Sequence, residues 1–379
     1  MLYQLSYYRM ICLHVHVLLQ ISLRIAKLCH FFESAKIAPR FLWLRQLYRV
    51  GMGVLVGFEW NVVGGERGDF VNLHTEKNPH KESNQKHIAM SDKNMTDNMK
   101  HVVDGEFGGE RALFAVKNVQ LTNCVFHAGE SALKRTANIV AERCRFEGKY
   151  PFWHTDGFRV TDCVFTSGAR AALWYSDNLT MLRTQVDAPK MFREMHNLHI
   201  EDVTIPDAAE TLWNCHNVKL RNVEVHKADY LFMHSSDIDI ENYRQQGNYS
   251  FQYCRNVVIR NAVIDSKDAF WETENVTVYD SEITGEYLGW HSKNLHLVRC
   301  RINGTQPLCY AKGLVLEDCH FGDECDLAFE EAEVEATIKS SIVSVKNPTT
   351  GLIRALAIGE VILDKNVQAP ADCVIETEL

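Results

Sequence analysis

At 379 residues with 46% apolar content, the chain can bury a substantial core as one large domain or two ordinary ones. Its formal net charge of −9 argues against a sequence-independent grip on nucleic acid or on an anionic membrane surface. The charge is unevenly placed: residues 1–89 hold 11 Lys+Arg against 6 Asp+Glu, and the remainder holds 29 against 43.

The first segment reads differently from the rest. "MLYQLSYYRMICLHVHVLLQISLRIAKLCHFF" is apolar but carries His14, His16, Arg24 and Lys27. It has no clean run near the ~20 residues that span a bilayer and no small-residue cleavage site. Residues 1–89 are expected to be an extension outside the fold, with the biological start at Met90 or Met95 and a folded part over 90–379. The alternative is an amphipathic arm that binds a membrane surface or a partner. Twelve cysteines in a long chain without a secretory signal fit reduced thiols and a cytoplasmic location better than a disulfide framework.

From Asn118 onward the chain keeps a beat. Asn118, Asn138, Gly157, Asn178, Asn197, Asn217, Asp237, Asn256, Asn275, Asn294 and Gly313, with a degenerate Glu333, recur at steps of 19 to 21 residues. Asn, Asp and Gly are the residues that tolerate a left-handed backbone. A second bend follows five residues later, at Asn123, Asp162, Asp202, Asn222, Asn242, Asn261, Asp280 and Asp318. Between the bends apolar residues alternate, as Val276 and Val278 or Leu295 and Leu297 do, and period two means strands. Short strands repeated at ~20 residues stack as a parallel β-helix. Eleven or twelve coils of 19–20 residues, each rising ~4.8 Å, make an all-β rod of roughly 50–60 Å. Cys124, Cys144, Cys163, Cys300 and Cys319 share the position that Val203, Val223 and Ala262 fill elsewhere, so they belong to an internal stack. Lys100–Phe107 fits a weak first coil, Glu333–Lys346 a loose one, and "GEVILDKNV" a closing strand pair.

The motifs "HAGESALKRTANIVAERCRF", "YPFWHTDGF" and "AALWYSDNLTMLRT" resemble an uncharacterised bacterial family of proteins of about 290 residues, grouped with the pectin-lyase-like right-handed parallel β-helices. The resemblance runs from about residue 95 to the C-terminus. It implies the fold and its handedness and carries no established activity.

The segment before each anchor is expected to be a third strand, apolar on both parities, with one face on the core and the other lining a groove, packed under a loop or meeting a second chain. Three residues before the anchor runs a polar column: His154, Tyr175, Glu194, Asn214, His234, Tyr253, Glu272, His291, Tyr310 and Glu330. One residue before it lie Asp156, Asp177, His196 and His216. Burying so many ionisable groups is costly, so both columns are placed outside. His154, Asp156, Asp177, His196 and His216 are candidate ligands of a divalent metal. Glu194, His196 and His216 are candidates for general acid–base work. Trp174, Tyr175, Arg193, Trp213, Tyr253, Trp271, Glu272 and His291 are candidate contacts for a glycan or small molecule. The row Trp153, Trp174, Trp213, Trp271 and Trp290 reads more readily as an inward stack than as an exposed sugar platform.

Paired-carboxylate hydrolysis wants its acids about 5–9.5 Å apart, whereas Glu194 and Glu272 stand four coils, about 19 Å, apart. Asp156–Asp177 is the only close acidic pair, which weakens a calcium-dependent lyase arrangement too. Three classes stay open. They are carbohydrate or small-metabolite processing at residues 154–216, a non-catalytic binding rod, and a scaffold that forms homo-oligomers through the apolar third strand at Phe192 and Leu212.

Overall fold

The structure, a computed structural model, describes residues 99–365 and 372–377. The expectations for residues 1–89, and for a start at Met90 or Met95, fall outside the described residues. Within them the chain winds a right-handed parallel β-helix of about 14 turns with almost no helix. Each strand pairs in parallel with the coil before and the coil after. Ile240, Ile259, Val278, Leu297 and Leu316 therefore stand in one in-register column, and all five are buried. Alternation decides this: in a coil only one face meets the core, so every second residue must be apolar.

Both series of bends adopt the left-handed conformation. Asn118, Asn197, Asn256, Asn275 and Gly313 have φ of 56°, 61°, 55°, 59° and 60°, and Asn222, Asn242 and Asp280 have 53°, 56° and 49°. Side chains then add what backbone tolerance alone does not. Asn294 Nδ2 donates to Asn275 Oδ1 at 2.9 Å, and Asn275 Nδ2 to Asn256 Oδ1 at 3.2 Å. The second bend builds its own ladder through Asn222, Asn242 and Asn261. Each amide is donor to one coil and acceptor from the next, a role that Gly cannot fill. We expect Asn275→Val to destabilise the rod by about 2–4 kcal/mol. The sum joins about 1–2 kcal/mol of left-handed strain on a β-branched residue to two lost hydrogen bonds at about 0.5–1 kcal/mol each. Urea denaturation checks this, with Asn275→Gly keeping the strain-free backbone and losing only the hydrogen-bond part, about 1–2 kcal/mol.

The ends extend the beat. Lys100–Val103 pairs with Lys117–Thr122, and Gly109 lies opposite Gly129, so the weak first coil is present. The C-terminal part is more regular than expected. Glu333–Lys346 is one 14-residue strand, followed by Thr350–Ile362 and a last strand Asp372–Thr377, all parallel. Val334, Ala336, Ile338 and Ile342 keep the inward parity, and a register shift between Ile338 and Ser341 replaces the asparagine bend.

The segment before each anchor is not a strand but a run of turns. Alternate residues take positive φ: Tyr230 59°, Phe232 62° and His234 59°, then Tyr249 63°, Phe251 60° and Tyr253 61° in the next coil. Its N–H groups reach both neighbouring coils, Phe232 to Thr211 O at 3.1 Å and His234 to Gln252 O at 3.0 Å. Because the backbone bends at every second residue, strand parity does not apply. The residue five before the anchor points inward as Phe192, Leu212, Phe232, Phe251 or Phe270, all buried, while the next two both point outward.

The cysteines of the internal stack, Cys124, Cys144, Cys163, Cys300 and Cys319, are buried free thiols. Burial pushes the Cys124 thiol up. Among the described residues no helix is long and apolar enough to cross a membrane.

Candidate functional site

The outward side of the turn segment carries three parallel columns of side chains, set by the coil rise of ~4.8 Å. The column three before the anchor is exposed or half-buried throughout. Its order is regular: His154, Tyr175, Glu194, then Asn214, then His234, Tyr253, Glu272, then His291, Tyr310, Glu330. Each imidazole lies flat against the tyrosine that follows it. Centroids are 5.2 Å apart for His154 and Tyr175, 4.7 Å for His234 and Tyr253, and 4.8 Å for His291 and Tyr310, with planes within 14°. Partial burial and the nearby Lys134 and Arg135 cations hold the His154 imidazole below its usual range. Glu194 accepts a hydrogen bond from Asn214 Nδ2 at 2.7 Å.

The tryptophans occupy the next column and lie outside the core, against expectation. All five are half-buried. The physical reason is the indole N–H, which an apolar interior would leave unpaired. Trp153 donates to Ala171 O at 2.7 Å, Trp174 to Lys190 O at 2.7 Å and Trp290 to Gln306 O at 2.7 Å. Trp153 and Trp174 stack at 5.7 Å and 10°. Arg193 then slides between two rings, its guanidinium carbon 4.7 Å from the centroid of Trp174 and 4.1 Å from that of Trp213. The same guanidinium donates to Glu210 O at 2.9 Å and Glu210 Oε2 at 2.7 Å. Only 15% exposed, Arg193 ties coils together and has little left for a ligand. Trp174, between Trp153 and Arg193, offers an edge rather than a face, and Trp213 has one face covered by Arg193. Trp271 stands further along, 5.4 Å from Trp290.

The column one before the anchor starts the following strand, in the register Asp177, His196, His216, Ser236. His196 accepts no proton from a carboxylate, so its Nδ1–H donates to Asp177 Oδ1 at 2.9 Å, beside the backbone N–H of His196 at 2.7 Å. Ser236 Oγ donates to Asp237 Oδ2 at 2.7 Å and so receives its other bond, at 2.9 Å, from His216 Nδ1. That donation from Ser236, then Asn256, holds the Asp237 carboxyl below the usual range. The two rings are 5.3 Å apart. Carboxylate, imidazole, imidazole, hydroxyl and carboxylate therefore follow one another over four coils. Both imidazoles present Nε2 as the atom with a free lone pair.

The expected sets are only partly brought together. Asp177, His196 and His216 are neighbours, and Glu194 lies on the adjacent column. The five candidate metal ligands are strung along the rod, with His154 three coil spacings, about 14 Å, from His216. Among the described residues no group of three or more His, Cys, Asp or Glu is arranged to hold a metal ion. Asp156, the fifth of them, accepts from Asn178 Nδ2 at 2.6 Å.

The structure also shows what the sequence reading passed over. An open groove of about 780 Å³ begins at His216 and runs past His234, Tyr253, Glu272, His291 and Tyr310 on one wall. Its other wall is Ser236, Arg255, Glu274, Lys293 and Lys312. Tyr253, Glu272 and His291 are expected contacts; His234, Tyr310 and the basic wall are additions. The signal was present in the His–Tyr–Glu order and in the residues before the anchors Asn256, Asn294 and Gly313, which are Arg or Lys.

A family model described as a protein of unknown function (DUF3737) matches residues 100–376. No curated protein matches the chain significantly. Among solved structures, PfbA, a surface adhesin of Streptococcus pneumoniae, is similar at 9% identity and a TM-score of 0.42, over 71% of this chain and 85% of that one. A double mutant of the tailspike protein of E. coli bacteriophage HK620 is similar at 9% identity and 0.47, over 79% and 78%. A single mutant of that tailspike, in complex with a hexasaccharide, gives 11% and 0.44, over 77% and 75%.

Proposed function

We propose, taking as premise that the chain belongs to this family of unknown function, DUF3737, that its outward turn face binds a carbohydrate and that His196 and His216 move protons on it. The observation that carries the reading is the pair of adjacent imidazoles with both Nδ1 atoms committed, one to Asp177 and one to Ser236. Two oriented Nε2 atoms about one coil apart suit a neutral imidazole as base and its neighbour, once protonated at Nε2, as acid, acting on neighbouring positions of one substrate. Glu194, tied to Asn214, supplies a third polar contact, and Trp174, Tyr175, Trp213, Tyr253, Trp271 and His291 frame the surface. A reducing, cytoplasmic setting in a bacterium fits the free cysteines of the described residues.

A second reading, binding without turnover, is supported by how open the pair is, since the His196 side chain is 57% exposed. One screen separates the two. The full chain is incubated with panels of neutral and acidic oligosaccharides, and both retention and product formation are followed by mass spectrometry. Product formed by wild type supports the proposal. Retention without product leaves the binding rod, and neither removes the carbohydrate altogether.

A further inference from the structure

The groove beyond His216 has a charge that the rest of the molecule does not lead one to expect. Residues 90–379 carry 29 Lys+Arg against 43 Asp+Glu, yet the groove wall holds Arg255, Lys293 and Lys312 against the one carboxylate Glu274. Glu274 lies 3.6 Å from Arg255 Nε, so that pair answers itself. Lys293 and Lys312 are backbone neighbours on successive coils, both exposed, and among the described residues neither ammonium has an ion-pair partner. Two like charges about 4.8 Å apart at the backbone repel each other and gain when an anion lies between or over them. Across the groove, Glu272 is the one acid on the opposite wall.

That opposite wall has a matching form. The His234–Tyr253 and His291–Tyr310 pairs stack along the rod at the coil spacing, so each ring covers its neighbour's face. Stacked along the rod, the rings leave their edges for the groove they line, with imidazole nitrogens and phenol hydroxyls that donate and accept hydrogen bonds; the Tyr310 hydroxyl donates to Glu330 Oε2 at 3.5 Å and can still accept. Two pairs of ring edges, divided by Glu272, opposite the adjacent Lys293 and Lys312 ammonium groups suit a linear polymer rich in hydroxyls that carries negative charge.

We propose that this groove binds a linear acidic glycan, laid along the rod axis, with its carboxylates on Lys293 and Lys312 and its hydroxyls on the His–Tyr edges. The site rests on the carbohydrate reading above and deepens it, because His216 closes one end of the groove. A chain held there places one of its residues beside the imidazole pair.

The test is isothermal titration of the full chain with polygalacturonate, alginate, dextran and inorganic polyphosphate, in wild type and in Lys293→Glu/Lys312→Glu. Both lysines are exposed, so circular dichroism and melting should be unchanged. The expected result is binding of an acidic glycan that weakens at least tenfold in the double variant and weakens with added salt, with dextran much poorer. Equal binding of dextran, unaffected by the double variant, would overturn the acidic specificity while leaving a carbohydrate site. Acidic-glycan binding that survives the charge reversal would overturn this groove as its seat. Binding of polyphosphate as tight as that of either glycan would reduce the groove to a general polyanion surface. Failure of every glycan to bind would remove both this site and the reading it rests on.

Discussion

Phe251→Ala is expected to cost the protein about 4–5 kcal/mol of unfolding free energy. Phe251 is fully buried and lies between Phe232, at 4.8 Å and 12°, and Phe270, at 5.0 Å and 19°. Removing a buried Phe costs about 3–5 kcal/mol through lost transfer energy and the cavity left behind. Two aromatic contacts add about 0.5–1.5 kcal/mol each beyond area, and partial collapse of the cavity takes some of that back. The position does not relieve backbone strain on truncation, since its φ is 60° and alanine is no more at ease there than phenylalanine. In a solenoid each coil is held only by its neighbours, so the loss is local and should also loosen the two halves from each other. Urea unfolding should therefore show a lower midpoint and a broader transition. Phe251→Leu should cost only about 1 kcal/mol, because Leu173, Leu212 and Leu308 already occupy this position in other coils. A cost below 1 kcal/mol for the alanine variant would mean that the inward stack does not organise the rod.

The second large effect concerns turnover. If His196 and His216 carry protons, His216→Ala should lower kcat by about 10²–10⁴-fold and move the melting temperature little, since both rings lie at the surface. His196→Ala should do the same. Asp177 acts through His196: its Oδ1 fixes which imidazole nitrogen bears the proton. Asp177→Ala should thus lower kcat by a smaller factor, leave KM nearly unchanged, and have no further effect once His196 is already alanine. Additive losses in that double variant would separate Asp177 from the imidazole and make it an independent contact. Single-turnover rates on whichever oligosaccharide the screen identifies would decide between them.

The contrast between what was and was not legible follows from where each signal is stored. The fold is written in local preferences repeated many times. One Asn at a bend is weak evidence, but eleven anchors at steps of 19 to 21 residues leave few alternatives. The inward cysteines follow from the same register, because a column that holds Val203 and Ala262 must be core. The amide ladder at Asn256, Asn275 and Asn294 is an added consequence that requires the coils to be in contact. The tryptophan row went the other way. Its apolar mass suggested the interior, but each indole N–H needs an acceptor, and the carbonyl of the next coil lies on the outside. Period-two reasoning failed in the turn segment, where alternate left-handed residues such as Phe232 and His234 turn two successive side chains outward.

The columns of His154, Tyr175 and Glu194 and of Asp177, His196 and His216 could be named from the sequence because spacing alone puts equivalent residues side by side. Pairing within those columns could not. Whether His196 meets Asp177 or Glu194, whether Arg193 faces a ligand or two indoles, and whether Arg255, Lys293 and Lys312 make a wall all depend on side-chain direction at a bend. Direction there is set by φ and by contacts with coils some 19 residues away. Sequence by itself therefore determined the beat, the strands, the inward columns and the polarity of the outer face, since each is a short-range preference multiplied by repetition. Only the tertiary structure decided the imidazole pair, the locked Arg193 and the walls of the basic groove, since each depends on side-chain directions between coils that the repeat leaves open.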